Sequence, residues 1–150
     1  MKLFDYINIH NNEEINIYCD MDGVLCEYDI GNFNYDDLRP INTTINNINK
    51  LYNYKNVNIF ILSICKTNKI IDEKKKWMNK YMPFLNNDNF IFLSKENIKD
   101  KESKEIKLEY LDDIDNSKIN IVIDDDINII KHLKNNTKDI KIYHVSSLID

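Results

Sequence analysis

Alanine and glutamine are absent from this 150-residue chain, and glycine and proline occur only twice each. That scarcity excludes collagen-like repeats and Pro/Gly-rich disordered segments. Arginine is limited to Arg39 and the net charge is −5, so no surface that grips a phosphate backbone through guanidinium forks is expected, and no nucleic-acid partner with it. The cysteines, Cys19, Cys26 and Cys65, lack the C-x-x-C spacing of metal sites, and their odd number suits reduced thiols in an intracellular compartment. No apolar run approaches the roughly 18 residues of a membrane span. The opening MKLFDYINIH has no signal-peptide core, so a soluble, cytoplasmic protein without a membrane partner is expected. A chain of this length buries about 70% of its unfolded surface without disulfides or a structural metal, and one domain over 1–150 is expected.

Ile, Asn and Lys together supply 69 residues, a bias that resembles A+T-rich codon usage and says little about structure. The order of residues says more. Five β-branched or aromatic runs, Ile15–Cys19, Val57–Leu62, Phe90–Leu93, Ile119–Ile123 and Ile140–Val145, read as strands, several without the alternation of a half-exposed sheet. Between them lie helical patterns. Ile41, Ile45, Ile48 and Tyr52 follow Pro40; Ile70, Lys74, Trp77, Met78 and Tyr81 share one stripe of a helix over about Lys69–Tyr81; further helices are expected over about Ser103–Ile114 and Ile127–Asn135. Strands alternating with single helices predict an α/β, Rossmann-like, doubly wound and mostly parallel five-stranded sheet with helices on both faces. Ligands of such sheets bind at the carboxyl ends of the strands, which is where polar residues carry chemistry.

Three such places stand out. After the first strand comes D-M-D-G-V, with Asp20 and Asp22 two residues apart and Gly23 permitting a tight turn. After the second comes Ser63, an ordinary turn residue alone but a possible donor to a phosphoryl oxygen. After the fourth come Asp124, Asp125 and Asp126. Asp126 is placed to cap the following helix, but three aspartates exceed what capping needs. Clustered carboxylates repel one another unless a cation intervenes, and an all-oxygen set suits a hard divalent ion such as Mg²⁺. No His or Cys joins the set, so zinc is not expected; His10, His132 and His144 are scattered and read as structural or surface residues.

The combination DMDGV, ILS and IDD resembles the haloacid dehalogenase-like phosphohydrolases, and EKKKWMNKYMP with IVIDDD is most similar to their 5'(3')-deoxyribonucleotidase-like branch. The likeness covers about Ile15 to Leu133. It implies a Mg²⁺-dependent phosphomonoesterase, nucleotidase-like, acting on a small phosphorylated substrate such as a nucleoside monophosphate. Asp20 would be the nucleophile and Asp22 the general acid/base, with Ser63 on the phosphoryl group. The metal would be held by Asp20, the Asp22 backbone carbonyl and Asp125, with Asp124 beside it. The resemblance also requires a lysine. Lys107 is the first choice because it shares a helical stripe with Leu111 and Ile114, ahead of Lys104 and Lys95.

The chain departs from those relatives in its cap, which shrinks to a short flap over 27–39. Within it Tyr28, Phe33 and Tyr35 offer rings to stack on a base or to shield the site from water. A receiver-like signalling domain shares the alternating pattern, but it would need its aspartate after the third strand, where Leu93, Ser94 and Lys95 stand. A phosphatase for another phosphoester or phosphoprotein, and a non-catalytic binding relative, are the remaining alternatives. A pure binder has no use for the Asp22 carboxylate.

Overall fold

The computed structural model describes residues 1–28 and 34–149. Its elements in chain order are α1 (Leu3–Ile9), β1 (Ile15–Cys19), α2 (Asn42–Tyr52), β2 (Val57–Cys65), α3 (Asn68–Tyr81), β3 (Phe90–Ser94), α4 (Ser103–Asp112), β4 (Ile119–Asp124), α5 (Ile127–Asn136) and β5 (Ile140–His144). The strands form one sheet in the order β3-β2-β1-β4-β5, and every neighbouring pair is parallel. This is the expected α/β, Rossmann-like architecture.

The side-chain alternation of the central strands sorts the core into two layers. Ile15, Ile17 and Cys19 of β1, with Ile59 and Ile61 of β2 and Ile121 and Ile123 of β4, face Leu3 and Ile7 of α1, Ile48 and Leu51 of α2, and Trp77 and Met78 of α3. Tyr18, Leu62 and Val122 point the other way, against Leu111 of α4 and Ile129, Ile130 and Leu133 of α5. Strands buried on both faces explain why these runs read as continuously apolar rather than alternating. The helix starts follow capping chemistry: Thr67 accepts from the Ile70 amide at α3, and Asp126 accepts from the amides of Asn128 and Ile129 at α5, as expected for that residue.

Several boundaries differ from the sequence reading. β2 continues through Ser63 to Cys65, because β3 pairs with it up to Cys65–Ser94. β5 stops at His144, since Val145 begins a 3-10 turn. Helix α1 had no predicted counterpart: it is short, has no side-chain cap, and fully buries Leu3 and Ile7, with Phe4 and Tyr6 partly buried against the same layer. All three cysteines are buried and unbridged. Among the described residues no helix is long and apolar enough to cross a membrane.

β1 lies between β2 and β4, so the connections leave it in opposite directions and open a crevice at its carboxyl end. The D-M-D-G-V turn sits there. Four backbone bonds shape it: the amides of Val24, Leu25 and Cys26 all donate to the Met21 carbonyl, and that of Gly23 donates to the Cys26 carbonyl. The segment that follows is closed at its base, where the Glu27 amide donates to Arg39 and the Ile41 amide to Leu25.

Candidate active site

A cavity of about 490 Å³ opens over this crevice, lined by Asp20, Asp22, Ser63, Lys74, Lys107, Asp124 and Asp125 among others. Five aspartates, Asp126 included, and four lysines line this space, and of the lysines Lys74 and Lys107 are buried. The carboxylates do not share one environment.

Asp20 belongs to an acidic cluster. Oxygen atoms of Asp20, Asp124 and Asp125 lie within 4.8 Å of one another. The Asp20 side chain is 12% exposed, and burial pushes its pKa up to about 7, against the pull of Lys107. Asp124 is fully buried. One of its oxygens accepts from Lys107 at 2.6 Å and the other from the Asp126 amide at 3.0 Å, so its plane is fixed. Asp125 is half-buried, and its pKa is raised by burial and by the charge of Asp124.

Gly23 reveals how closely this cluster is built. Its φ is +76°, a conformation glycine adopts without a Cβ penalty, and a Cβ there would stand 2.1 Å from Asp125 Oδ2. The glycine therefore serves the turn and makes room for the Asp125 carboxylate. Three hard oxygen donors crowded together, with carboxyl groups that burial resists ionising, fit a divalent cation of the Mg²⁺ type, which takes few carboxylates and completes its shell with other oxygens.

Asp22 stands outside the cluster. Its carboxylate is held from two sides: Lys74 Nζ donates to Oδ2 at 2.9 Å, and the Tyr35 hydroxyl donates to Oδ1 at 3.0 Å. Burial, with the adjacent Asp22 charge, keeps the Tyr35 phenol far above its ordinary ionisation range, so it is a donor here. Lys74 also donates to Ser63 Oγ at 2.6 Å and to the Ile64 carbonyl at 3.2 Å, which engages all three of its hydrogens. Since Ser63 Oγ accepts from that ammonium, its own hydrogen is left to point elsewhere.

Of the three lysines weighed from the sequence, Lys107 reaches the cluster, 2.6 Å from Asp124 and 3.2 Å from Asp20. Burial disfavours its charge, but the two carboxylates outweigh burial and hold it firmly protonated. Lys95 lies on the cavity lining, and Lys104 is partly exposed beside Glu102 at 3.5 Å. Lys74 was not anticipated as a site residue. The available signal was its helical phase, since it falls on the apolar stripe with Ile70, Trp77 and Met78 while Lys75 and Lys76 do not. Tyr28 lines the cavity mouth and is 67% exposed. Tyr35 lies deeper, its hydroxyl engaged by Asp22 and its ring 5.4 Å from the Lys74 ammonium. Phe33 lies outside the described residues.

No protein-family model matches the chain, and no curated protein is significantly similar to it in sequence. Solved structures share its fold. A chain of the Pnkp1/Rnl/Hen1 complex superposes with a TM-score of 0.68 at 14% identity, over 88% of this chain and 46% of that one. The N-terminal part of protein BF1531 from Bacteroides fragilis, containing a phosphatase domain complexed with Mg, gives 0.56 at 15% identity, over 92% and 38%. The HAD domain of effector protein Lem4 from Legionella pneumophila gives 0.51 at 14% identity, over 87% and 86%. The chain thus spans less than half the length of the first two. It has the fold of a HAD domain, the haloacid dehalogenase-like architecture expected from the motifs.

Proposed function

We propose that the protein is a Mg²⁺-dependent phosphomonoesterase that works through an aspartyl-phosphate intermediate on Asp20. One observation carries this reading: a single tight turn delivers two aspartates into opposite environments, Asp20 into a three-carboxylate cluster and Asp22 onto an ammonium and a phenol. Pairs of like groups whose surroundings differ in this way divide nucleophilic and acid/base work between them. The phosphatase domain of BF1531, complexed with Mg, lends support through the shared fold.

In the first step an Asp20 oxygen attacks phosphorus and the P–O bond to the leaving group breaks. Asp22, which enters this step in its protonated form, gives that proton to the departing oxygen, which leaves as an alcohol, and is itself left as the carboxylate. Water then attacks the phosphorus, Asp22 takes its proton, and the bond to Asp20 breaks to release inorganic phosphate and the starting carboxylate. Lys107 has two protein partners among the described residues, which leaves one N–H for a phosphoryl oxygen. Ser63, oriented by Lys74, donates a second hydrogen bond to the same group. Asp20, Asp124 and Asp125, with the Asp22 backbone carbonyl, would hold the metal, which when bound neutralises charge on the phosphoryl oxygens.

The substrate class proposed is a nucleoside monophosphate. The cavity volume falls within the range of small-ligand sites, and apolar walls from Leu38, Ile64, Ile70 and Ile129 adjoin the carboxylates, with Tyr28 at the mouth to stack on a base. A phosphate-release screen tests both levels. Nucleoside 5'- and 3'-monophosphates, sugar phosphates, phosphopeptides and 3'-phosphorylated oligonucleotides are offered with Mg²⁺ and with chelator. Release from nucleotides in Mg²⁺ and none in chelator is expected. Release from other monoesters alone would refute the nucleotide preference, and release from none would refute the enzyme.

A further inference from the structure

We propose that Tyr35 is a positioning residue for Asp22, so that the 3-10 turn Tyr35–Asp37 completes the acid/base apparatus. This inference rests on the phosphatase reading above. It concerns a contact between a flap residue and a carboxylate 13 positions away in sequence.

A carboxylate tied at one oxygen still pivots about the bond that carries it. Lys74 ties Asp22 at Oδ2 only. Tyr35 supplies the second tie, at Oδ1 and 3.0 Å, and the two together fix the plane of the group and the oxygen presented to a leaving group. Cys26 adds little, its sulfur being 3.7 Å from the same Oδ1. Asp22 is 21% exposed and lines the open cavity, so no packing from the pocket side would hold it in place of these hydrogen bonds.

Tyr35 is itself held firmly enough to act as an anchor. It opens a 3-10 turn, Tyr35–Asp37, whose N-cap Asn34 accepts from the Asp36 amide at 3.1 Å. The Leu38 amide closes the turn on the Tyr35 carbonyl at 3.1 Å. The Leu38 carbonyl in turn accepts from the buried Trp77 indole of α3 at 3.0 Å. The tyrosine ring packs against the main core cluster and beneath Lys74. Lys74 and Trp77 lie three residues apart on α3, so one helix face supports both ties to Asp22. An anchor of this kind suits a residue that must protonate one oxygen and later deprotonate a water at the same place.

The test is Tyr35→Phe, which removes one oxygen and keeps the ring, examined alongside Asp22→Asn and the double variant. Two substrates separate the roles: an alkyl phosphate, whose leaving oxygen needs the Asp22 proton, and a nitrophenyl phosphate, whose leaving group does not. In Tyr35→Phe the kcat for the alkyl ester should fall about tenfold or more, the scale of one hydrogen bond to a charged group. KM should change less than twofold, and the first-turnover burst from nitrophenyl phosphate in rapid mixing should stay within twofold of wild type. In the Asp22→Asn background the same replacement should add nothing further. Equal losses on both substrates, or an undiminished loss without Asp22, would show a merely structural tyrosine and overturn the proposal. So would wild-type kinetics in Tyr35→Phe. A wild-type protein inactive on both esters would overturn the phosphatase reading and this proposal together. If Tyr35→Phe loses more than a few degrees of thermal midpoint, the burst amplitude, which counts folded sites, normalises its rates.

Discussion

Replacing Lys74 by methionine should lower both stability and turnover, and the two losses have separate origins. Methionine keeps an unbranched stem of similar length, so the packing beside Trp77 and Met78 stays filled. What disappears is the ammonium and its three acceptors, Asp22 Oδ2 at 2.9 Å, Ser63 Oγ at 2.6 Å and the Ile64 carbonyl at 3.2 Å. A hydrogen bond to a charged group contributes about 1.5 to 3 kcal/mol, and an abandoned buried acceptor costs about 1 to 3. Asp22 is 21% exposed and regains water, so its share is discounted, whereas Ser63 is 1% exposed and does not. The net loss is about 2 to 4 kcal/mol, which for a chain of this size lowers the midpoint by about 5 to 15 °C. Turnover should fall about a hundredfold, because Ser63 loses its orientation and Asp22 one of its two ties. Differential scanning fluorimetry and phosphate release from nitrophenyl phosphate read the two effects. A variant within about 1 °C and twofold of wild type would refute the assignment of Lys74 as the link between Ser63 and Asp22.

The other lysines should separate by burial: Lys107→Ala should lower phosphate release by about a hundredfold or more, while Lys104→Ala, whose partly exposed ammonium pairs with Glu102, should change it less than twofold. Assays of both variants at saturating Mg²⁺ check this, and parity between them would remove Lys107 from the site. A pH dependence follows from Asp20, whose pKa is raised from the ordinary 3.8 to about 7 by burial. Between those values the unfolded chain has already ionised and the folded one has not, so this group makes the metal-free protein less stable as pH rises from about 4 to 7. Mg²⁺ competes with the same proton, so the rise in thermal midpoint it produces should be larger at pH 8 than at pH 6; a larger rise at pH 6 would contradict the placement of Asp20 in the metal cluster.

The sheet and most helices were legible because their signals are local. Continuous β-branched runs mark strands buried on both faces, and Asp126, Thr67 and Pro40 punctuate the helices. The D-M-D-G-V turn and the Asp124–Asp126 run announced themselves for a related reason, since charge concentrated at strand ends has few structural uses. Lys74 lay hidden in the run Glu73–Lys76, where composition gives no preference among its lysines. Helical phase distinguishes it and places it on the α3 stripe with Ile70 and Trp77, but the step from a cation on an apolar stripe to an anionic partner at the site, which selects Lys107, was not extended to it. The Tyr35–Asp22 bond was beyond reach, because it depends on how a loop folds back across 13 residues rather than on any periodicity. Helix α1 fell below detection for lack of a cap and of more than two buried positions.

The covalent role of Asp20 is the central claim, and acid-quenched mass spectrometry of the protein during turnover tests it most directly. Asp22→Asn slows hydrolysis of the intermediate, so this variant mixed with nitrophenyl phosphate and Mg²⁺ should accumulate a phosphoryl adduct on the peptide that contains Asp20, labile to hydroxylamine. Asp20→Asn should carry no adduct and release no phosphate. Turnover by Asp20→Asn, or sustained turnover of Asp22→Asn with the phosphoryl group on another residue or on none, would contradict the account.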